Sequence, residues 1–228
     1  MNFPGNIIDF IFPRTCHLCG TTLGRDIRYI CPACLANMPR TRYHRMKDNP
    51  MERRFMGQFP FRAATGHFFY SRDSEMAILL QDLKYRHFKG LGHYLGELVA
   101  SELLPTGFLS DIDILLPVPM HFMKKARRGY NQTEEICRGI SSVIAVGVAD
   151  NLKAVRPHRT QTSLSLDRRL RNTDNIFEVS CPESLQDKNI LLVDDVCTTG
   201  ATLASAARTL TGSAKIGELS LLTLGVTF

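Results

Sequence analysis

The fourteen residues ILLVDDVCTTGATL, 190–203, constrain the fold of this 228-residue chain more than any other stretch. Four apolar residues suit a buried strand, two adjacent aspartates follow, and small and hydroxylated residues then lead into helical spacing from Ala201 onward. A strand that turns directly into a helix is half of a βαβ unit. Apolar, β-rich runs at 111–119 (DIDILLPVP) and 217–225 (GELSLLTLG) extend the pattern, with helical spacing in SEMAILLQDLKY, GLGHYLGELVASELL and NQTEEICRGISSVIAV. The helix over ATLASAARTL is expected to close at a Gly212 cap. This alternation predicts an α/β fold with a mainly parallel central sheet.

Ligands of such sheets sit at the carboxyl ends of the strands, which places Asp194 and Asp195 at the ligand edge, just past the strand ending at Val193. The loop Val196, Cys197, Thr198, Thr199 and Gly200, with Ala201 and Thr202 beginning the helix, offers backbone N–H groups and hydroxyls to one point, backed by the positive end of the helix. That is a phosphate cradle, although neither the P-loop nor the G-x-G-x-x-G pattern occurs here. Adjacent carboxylates repel, so their ligand must bring hydroxyl donors or a cation. A ribose 5-phosphate with a nearby Mg2+ meets that description. An acidic turn that merely caps a helix would need one such residue, not the whole series. Cys197, at a helix N-terminus, is expected to carry a lowered thiol pKa. Cys137 and Cys181 read as small apolar packing groups.

A second constraint lies near the start. Cys16, Cys19, Cys31 and Cys34 form two C-x2-C pairs separated by eleven residues, the spacing of a closed, four-thiolate structural Zn2+ site. His17 falls between these cysteines, but four sulfurs already fill the coordination shell. Paired cysteines of this kind indicate a reducing compartment, and no apolar run reaches the roughly 20 residues that span a bilayer. A cytoplasmic location follows as the expectation, with recruitment to the inner face of the membrane left open. The net charge of +6 falls entirely within the first seventy residues, which hold ten Lys and Arg against four Asp and Glu. A basic module on a neutral body suits a polyanion partner such as nucleic acid, and equally a solvated surface. The expected organisation is a zinc ribbon at 1–38, a basic connector at 39–62 and an α/β domain at 63–228. Within the connector, Tyr43, Phe55, Phe59 and Phe61 either stack on single-stranded bases or pack the ribbon onto the body.

Three further segments bear on the site. LLPVPMHFMKKARRGYNQ leaves a strand through two prolines and enters a helix near Asn131, bringing Lys124, Lys125, Arg127 and Arg128 to the edge that holds the acidic pair. Lys84, in LKYRHFKG, either reaches that edge or caps a helix C-terminus. RPHRTQTSLSLDRRLRN, 156–172, is polar and Arg-rich and is a poor candidate for core.

The stretch 190–203 resembles the ribose-phosphate motif of type I phosphoribosyltransferases. CHLCG with CPACL, then LKY, LLPVPM, RRGYNQTEEI, RTQTSLSLDRRLRN and the acidic motif, in that order, resemble the ComF family over almost the whole chain. ComF proteins, ComFC among them, are competence-associated and pair a zinc ribbon with a phosphoribosyltransferase domain. The resemblance implies bound phosphoribosyl pyrophosphate with Mg2+, a role in single-stranded DNA uptake during natural transformation, and partners among other DNA-uptake proteins. It implies catalytic roles for Asp194, Asp195 and Arg128, and substrate contacts from Lys84, Gly129, Asn131 and residues 196–202. Arg156, Gln161, Arg169 and Asn172 are implied in a hood over the substrate. The acceptor is not settled for the family, so turnover as a phosphoribosyltransferase stays open, as does a purely metabolic enzyme with no nucleic-acid role.

Overall fold

The computed structural model describes residues 13–85, 88–120, 128–155 and 176–227. In chain order its regular elements are α1 (Pro32–Asn37), α2 (Pro50–Phe55), β1 (Ala63–Phe69), α3 (Glu75–Tyr85), α4 (Lys89–Leu103), β2 (Ile114–Pro117), α5 (Gln132–Ile144), β3 (Gly147–Val148), β4 (Leu152–Ala154), β5 (Phe177–Val179), β6 (Ile190–Cys197), α6 (Ala201–Ser213) and β7 (Leu219–Val226). Five strands form one sheet in the order β1–β7–β6–β2–β3, every pair parallel, while β4 and β5 form a separate antiparallel pair.

The sheet is parallel because both of its faces are covered, and the central strands are accordingly apolar on both sides. Leu191 and Val193 of β6, Leu115 of β2 and Leu222 of β7 join one core with Leu79, Leu83, Leu95 and Ile136 of the helices α3, α4 and α5. Ile190 and Leu192, Leu116 and Leu221 join a second core with Leu203, Ala207 and Leu210 of α6 and with Met51 and Phe55 of α2. Each such fully buried Leu, Ile, Val, Met or Phe side chain contributes about 1.5–3 kcal/mol. Asn131 begins α5: its side-chain oxygen accepts from the Thr133 amide, and Glu134 and Glu135 in the first turn complement the helix dipole. Helices α4 and α5 approach so closely that a Cβ on Gly96 would overlap the Ile136 carbonyl, and one on Gly139 the His93 carbonyl.

Several expectations need correction. Strand β6 does not end at Val193: it runs through both aspartates to Cys197, with Asp194 opposite Thr223 and Cys197 opposite Val226. Pairing with the long edge of β7 carries the ladder past the two charges. Gly212 is not the cap of α6 but lies inside its last turn, and Ala214 takes the cap position. Cys181 is exposed at a left-handed φ of 49°, outside any core, whereas Cys137 is fully buried. Strand β1 was unanticipated. The aromatic side chains of 39–62 also serve packing: Tyr43 and Phe55 are buried, and Phe59 and Phe61 lie against the same core, so Tyr43 and Phe55 are closed to bases. Cys16, Leu23, Ile30 and Met38 of the ribbon belong to the core of α3 and α4, so ribbon and body share one interior. Among the described residues no helix is long and apolar enough to cross a membrane.

Candidate functional site at the β2–β6 crevice

From β2 the chain moves outward to β3, and from β6 it moves the other way to β7. The crevice between the carboxyl ends of β2 and β6 is therefore the topological switch point, where open α/β sheets bind ligands. A cavity of ≈ 410 Å³ opens there. Its walls come from Val118 and Met120 after β2, Arg128 and Asn131 at the start of α5, Lys84 and Tyr85 at the end of α3, and Asp194, Asp195, Val196, Thr198 and Thr202 along β6 and its turn.

Charge in the cavity is paired. Lys84 reaches the acidic pair, with Nζ 2.6 Å from Oδ2 of Asp195, which resolves the two readings of that lysine in favour of the cavity. Asp194 Oδ1 accepts from the Asp195 amide at 2.8 Å. Burial, and then the charge of Asp195, push the Asp194 carboxyl up to about 8. The repulsion between neighbouring aspartates is thus relieved twice: Asp195 faces a cation and Asp194 keeps its proton near neutrality. The Arg128 guanidinium, also on the cavity wall, lies over the Tyr85 ring, 5.7 Å from its centroid. Asn131, only 3% exposed, donates to the Val118 carbonyl at 3.2 Å and fixes the wall after β2.

Beyond β6, Thr198–Gly200 form a tight turn, with Gly200 at a φ of 80° in the N-cap position of α6. Gly200 has no side chain to cap the helix, and the nearby Thr199 hydroxyl accepts from the Ala201 amide at 3.4 Å. Thr198 and Thr202 line the cavity. Thr199, Gly200 and Ala201 instead line a smaller recess of ≈ 240 Å³ behind the turn, with Phe55 and Arg208. Cys197 points away from the cavity into the core of α2 and α6. Burial pushes its thiol up, contrary to the lowered value expected at a helix N-terminus. Gly129 shapes the approach to α5 at a φ of 81°. Lys124, Lys125, Arg127, Arg156, Gln161, Arg169 and Asn172 lie outside the described residues.

Sequence reasoning missed one wall of the cavity, formed by Ala154, Ile176 and Phe177. Ala154 pairs with Phe177 across β4 and β5, and the Val155 amide donates to the Ile176 carbonyl at 2.9 Å. Val155 and Ile176 are thereby held side by side next to the cavity. Three-residue strands carry too little periodicity to be found, although the apolar residues of IFEV were a faint signal.

The second cluster is the cysteine set. The sulfurs of Cys16, Cys19, Cys31 and Cys34 all lie within 4.8 Å of one another, and Cys19 and Cys31 are 3.8 Å apart. A tetrahedron with Zn–S bonds of about 2.3 Å requires S···S separations of about 3.8 Å, so the donor set fits Zn2+ in both chemistry and size. The crowding of sulfurs pushes Cys34 up to about 12, with Cys31 as the first cause, a repulsion that a central cation removes. Amides of Cys31 and Cys34 donate to the sulfurs of Cys16 and Cys31. His17 is no ligand: its Nδ1 lies 2.6 Å from Asp82 Oδ2 on α3, docking the ribbon two residues before Lys84.

Comparison with known proteins agrees with this architecture. Residues 92–217 match the phosphoribosyl transferase domain, and residues 7–45 the double zinc ribbon domain. The chain is 28% identical to the DNA utilization protein YhgH of Escherichia coli O157:H7, over 86% of this chain and 83% of that protein. It is 29% identical to competence protein F of Haemophilus influenzae, over 59% of this chain and 60% of that one. Among solved structures, a glutamine phosphoribosylpyrophosphate amidotransferase from B. subtilis aligns at 16% identity with a TM-score of 0.42, over 58% of this chain and 26% of its own length. With the transferase match covering more than half of the chain and a four-cysteine ribbon ahead of it, this chain belongs to the phosphoribosyl transferase family, in the ComF group that joins such a domain to a zinc ribbon.

Proposed function

We propose that the β2–β6 cavity binds phosphoribosyl pyrophosphate together with Mg2+, and that this binding serves the handling of single-stranded DNA during DNA uptake. One observation carries the reading: the Lys84–Asp195 pair, the Asp194 carboxyl, Arg128, Thr198 and Thr202 all line one cavity at the switch point. Each part answers one part of the ligand. The turn and the start of α6 suit the 5-phosphate, the Asp195 carboxylate and the carbonyl oxygen of the Asp194 carboxyl accept from the 2- and 3-hydroxyls, and Arg128 suits the pyrophosphate. Hard carboxylate oxygens on the cavity wall also suit Mg2+, which when bound supplies charge neutralisation at the pyrophosphate. Transfer to an acceptor would draw on this preorganised charge, since pyrophosphate departure depends on electrostatic stabilisation more than on a general base. The Ala154–Phe177 pairing beside the cavity supports a hood role for 156–172, with Arg156 and Arg169 supplying further cations and Gln161 and Asn172 neutral hydrogen-bonding groups. The DNA assignment draws on the names of the relatives and on the basic first seventy residues.

Calorimetry of the zinc-loaded protein with phosphoribosyl pyrophosphate and Mg2+ tests the first half. Saturable binding is expected, weakened about tenfold or more in Asp195→Asn because a charged acceptor is lost. Absence of binding by the unaltered protein would overturn it. For the second half, affinity for a single-stranded oligonucleotide should fall linearly in log–log form with salt, by about 0.7 per phosphate contacted. A flat response, with ligand binding retained, would favour a purely metabolic phosphoribosyltransferase.

A further inference from the structure

The turn that faces the proposed 5-phosphate is held from behind by a residue outside the matched transferase domain. Arg54 lies in the last turn of α2, a helix of six residues made rigid by its surroundings. Asn49 accepts from the amides of Met51 and Glu52 at 2.9 and 3.0 Å, and Glu52 returns a bond to the Asn49 amide at 3.2 Å. The same two side chains reach β1, where Asn49 Nδ2 donates to the Ala64 carbonyl at 2.9 Å and Glu52 accepts from the Ala64 amide at 3.3 Å. Met51 and Phe55 are fully buried.

From this base the Arg54 guanidinium spans the ends of two strands. Its Nη1 donates to the Thr198 carbonyl and lies 3.5 Å from the Cys197 carbonyl, and its Nη2 donates to the Thr227 carbonyl at 2.8 Å. Thr227 completes the bracket, its amide donating to the Cys197 carbonyl at 3.0 Å and its hydroxyl to the Thr198 carbonyl at 3.0 Å. In a trans peptide the C=O and N–H point in opposite directions. Drawing the carbonyls of residues 197 and 198 towards Arg54 therefore turns the amides of Thr198 and Thr199 away from it. Thr198 lines the cavity on that far side, and Arg54 does not. Phe55 and Arg54 also fill the space behind Gly200, where a Cβ would stand 2.9 Å from the Phe55 ring and 3.0 Å from Arg54 Cδ.

We propose that Arg54 is a positioning residue, which orients the peptide groups after Cys197 so that their amides meet the 5-phosphate and adds a fixed positive charge behind them. The inference rests on the ribose-phosphate reading of that turn. It extends the phosphate site to α2, so the helix preceding β1 is part of the ligand machinery.

The test compares ribose 5-phosphate binding by the full-length, zinc-loaded protein and by Arg54→Ala, Arg54→Lys and Arg62→Ala. Arg62 is the matched control, since its guanidinium also bonds carbonyls, those of Phe108 and Ser110, at the opposite end of the sheet. Arg54→Ala should weaken ribose 5-phosphate about tenfold, Arg54→Lys should lose less because one donor survives, and added methylguanidinium should restore part of the loss in Arg54→Ala. Arg62→Ala should lower the melting temperature and leave affinity unchanged. If Arg54→Ala proves too unstable to measure, Arg54→Lys decides the matter alone. Affinity equal to wild type in the Arg54 variants, or an equal loss in Arg62→Ala, overturns the positioning role. Failure of the wild type to bind ribose 5-phosphate overturns the ligand reading, and this inference with it.

Discussion

Replacing Asp194 by Asn should remove a pH dependence from the stability of the whole chain. The Asp194 carboxyl is held up to about 8 from an ordinary 3.8, by burial first and by Asp195 second. The folded chain thus keeps a proton that the unfolded chain releases. A folded-state pKa above the unfolded one gives stability that is complete below 3.8 and drains away as the pH rises through about 8. A difference of one proton corresponds to a slope of ~1.4 kcal/mol per pH unit, a ceiling of ~2 kcal/mol between about pH 6 and about pH 7.5. Water in the open cavity and the nearby Lys84 cation screen this to ~1 kcal/mol, or ~2–4 °C in melting temperature for a chain of this size. Thermal melts of the zinc-loaded proteins across that interval, where thiolate–zinc bonds persist, are the assay. The variant should melt higher throughout, and its advantage should widen by ~2–4 °C towards the alkaline end. An advantage that stays constant, or shrinks, would refute the placement of the proton on Asp194.

Gly139→Ala should cost ~2–3 kcal/mol in denaturant unfolding because the new methyl meets the His93 carbonyl, whereas Gly147→Ala, with open space around it, should change little. Chelation of zinc should lower the melting temperature in a single calorimetric transition, since Cys16 and Ile30 lie in the core of α3 and α4; a separate early transition for the ribbon would contradict the shared interior. Arg40 holds Glu102 through two bonds of 2.7 Å, and Glu102, bonded also to His67, sits at about 2 instead of 4.5. Arg40→Met should therefore cost ~1–2 kcal/mol. Because a lowered carboxylate pKa gives stability that is present above 4.5 and lost as the pH falls through about 2, that cost should be the same at neutral and mildly alkaline pH.

The parts of this molecule that could be read from sequence are those whose chemistry is local. Strand β6, α5 with its Asn131 cap, and the two cysteine pairs each declare themselves within a dozen residues, because periodicity, capping and ligand spacing are short-range properties. Strand β1 was missed because AATGHFF mixes small, polar and aromatic residues, and it becomes a strand only by pairing with β7 more than 150 positions away. The same holds for Lys84 and Arg54. Nothing near Lys84 in the chain distinguishes a cap from a counter-ion, and Arg54 sits among other basic residues that suggest solvent or nucleic acid. Their partners, Asp195 and the carbonyls of 197, 198 and 227, are brought to them only by the finished sheet. Cys197 shows the converse error: a short-range rule for helix N-termini was overridden by burial under α2.

The merging of ribbon and body into one interior has a consequence for how such chains can be rearranged. Severing the polypeptide near residue 38 would strip Cys16, Leu23, Ile30 and Met38 from an apolar surface shared with Leu79, Leu83 and Leu95, leaving that surface wet and sticky. The metal-binding module is therefore not an interchangeable cassette. Gene fusion, swapping or deletion at that junction would be selected against on solubility alone, before any loss of activity was felt.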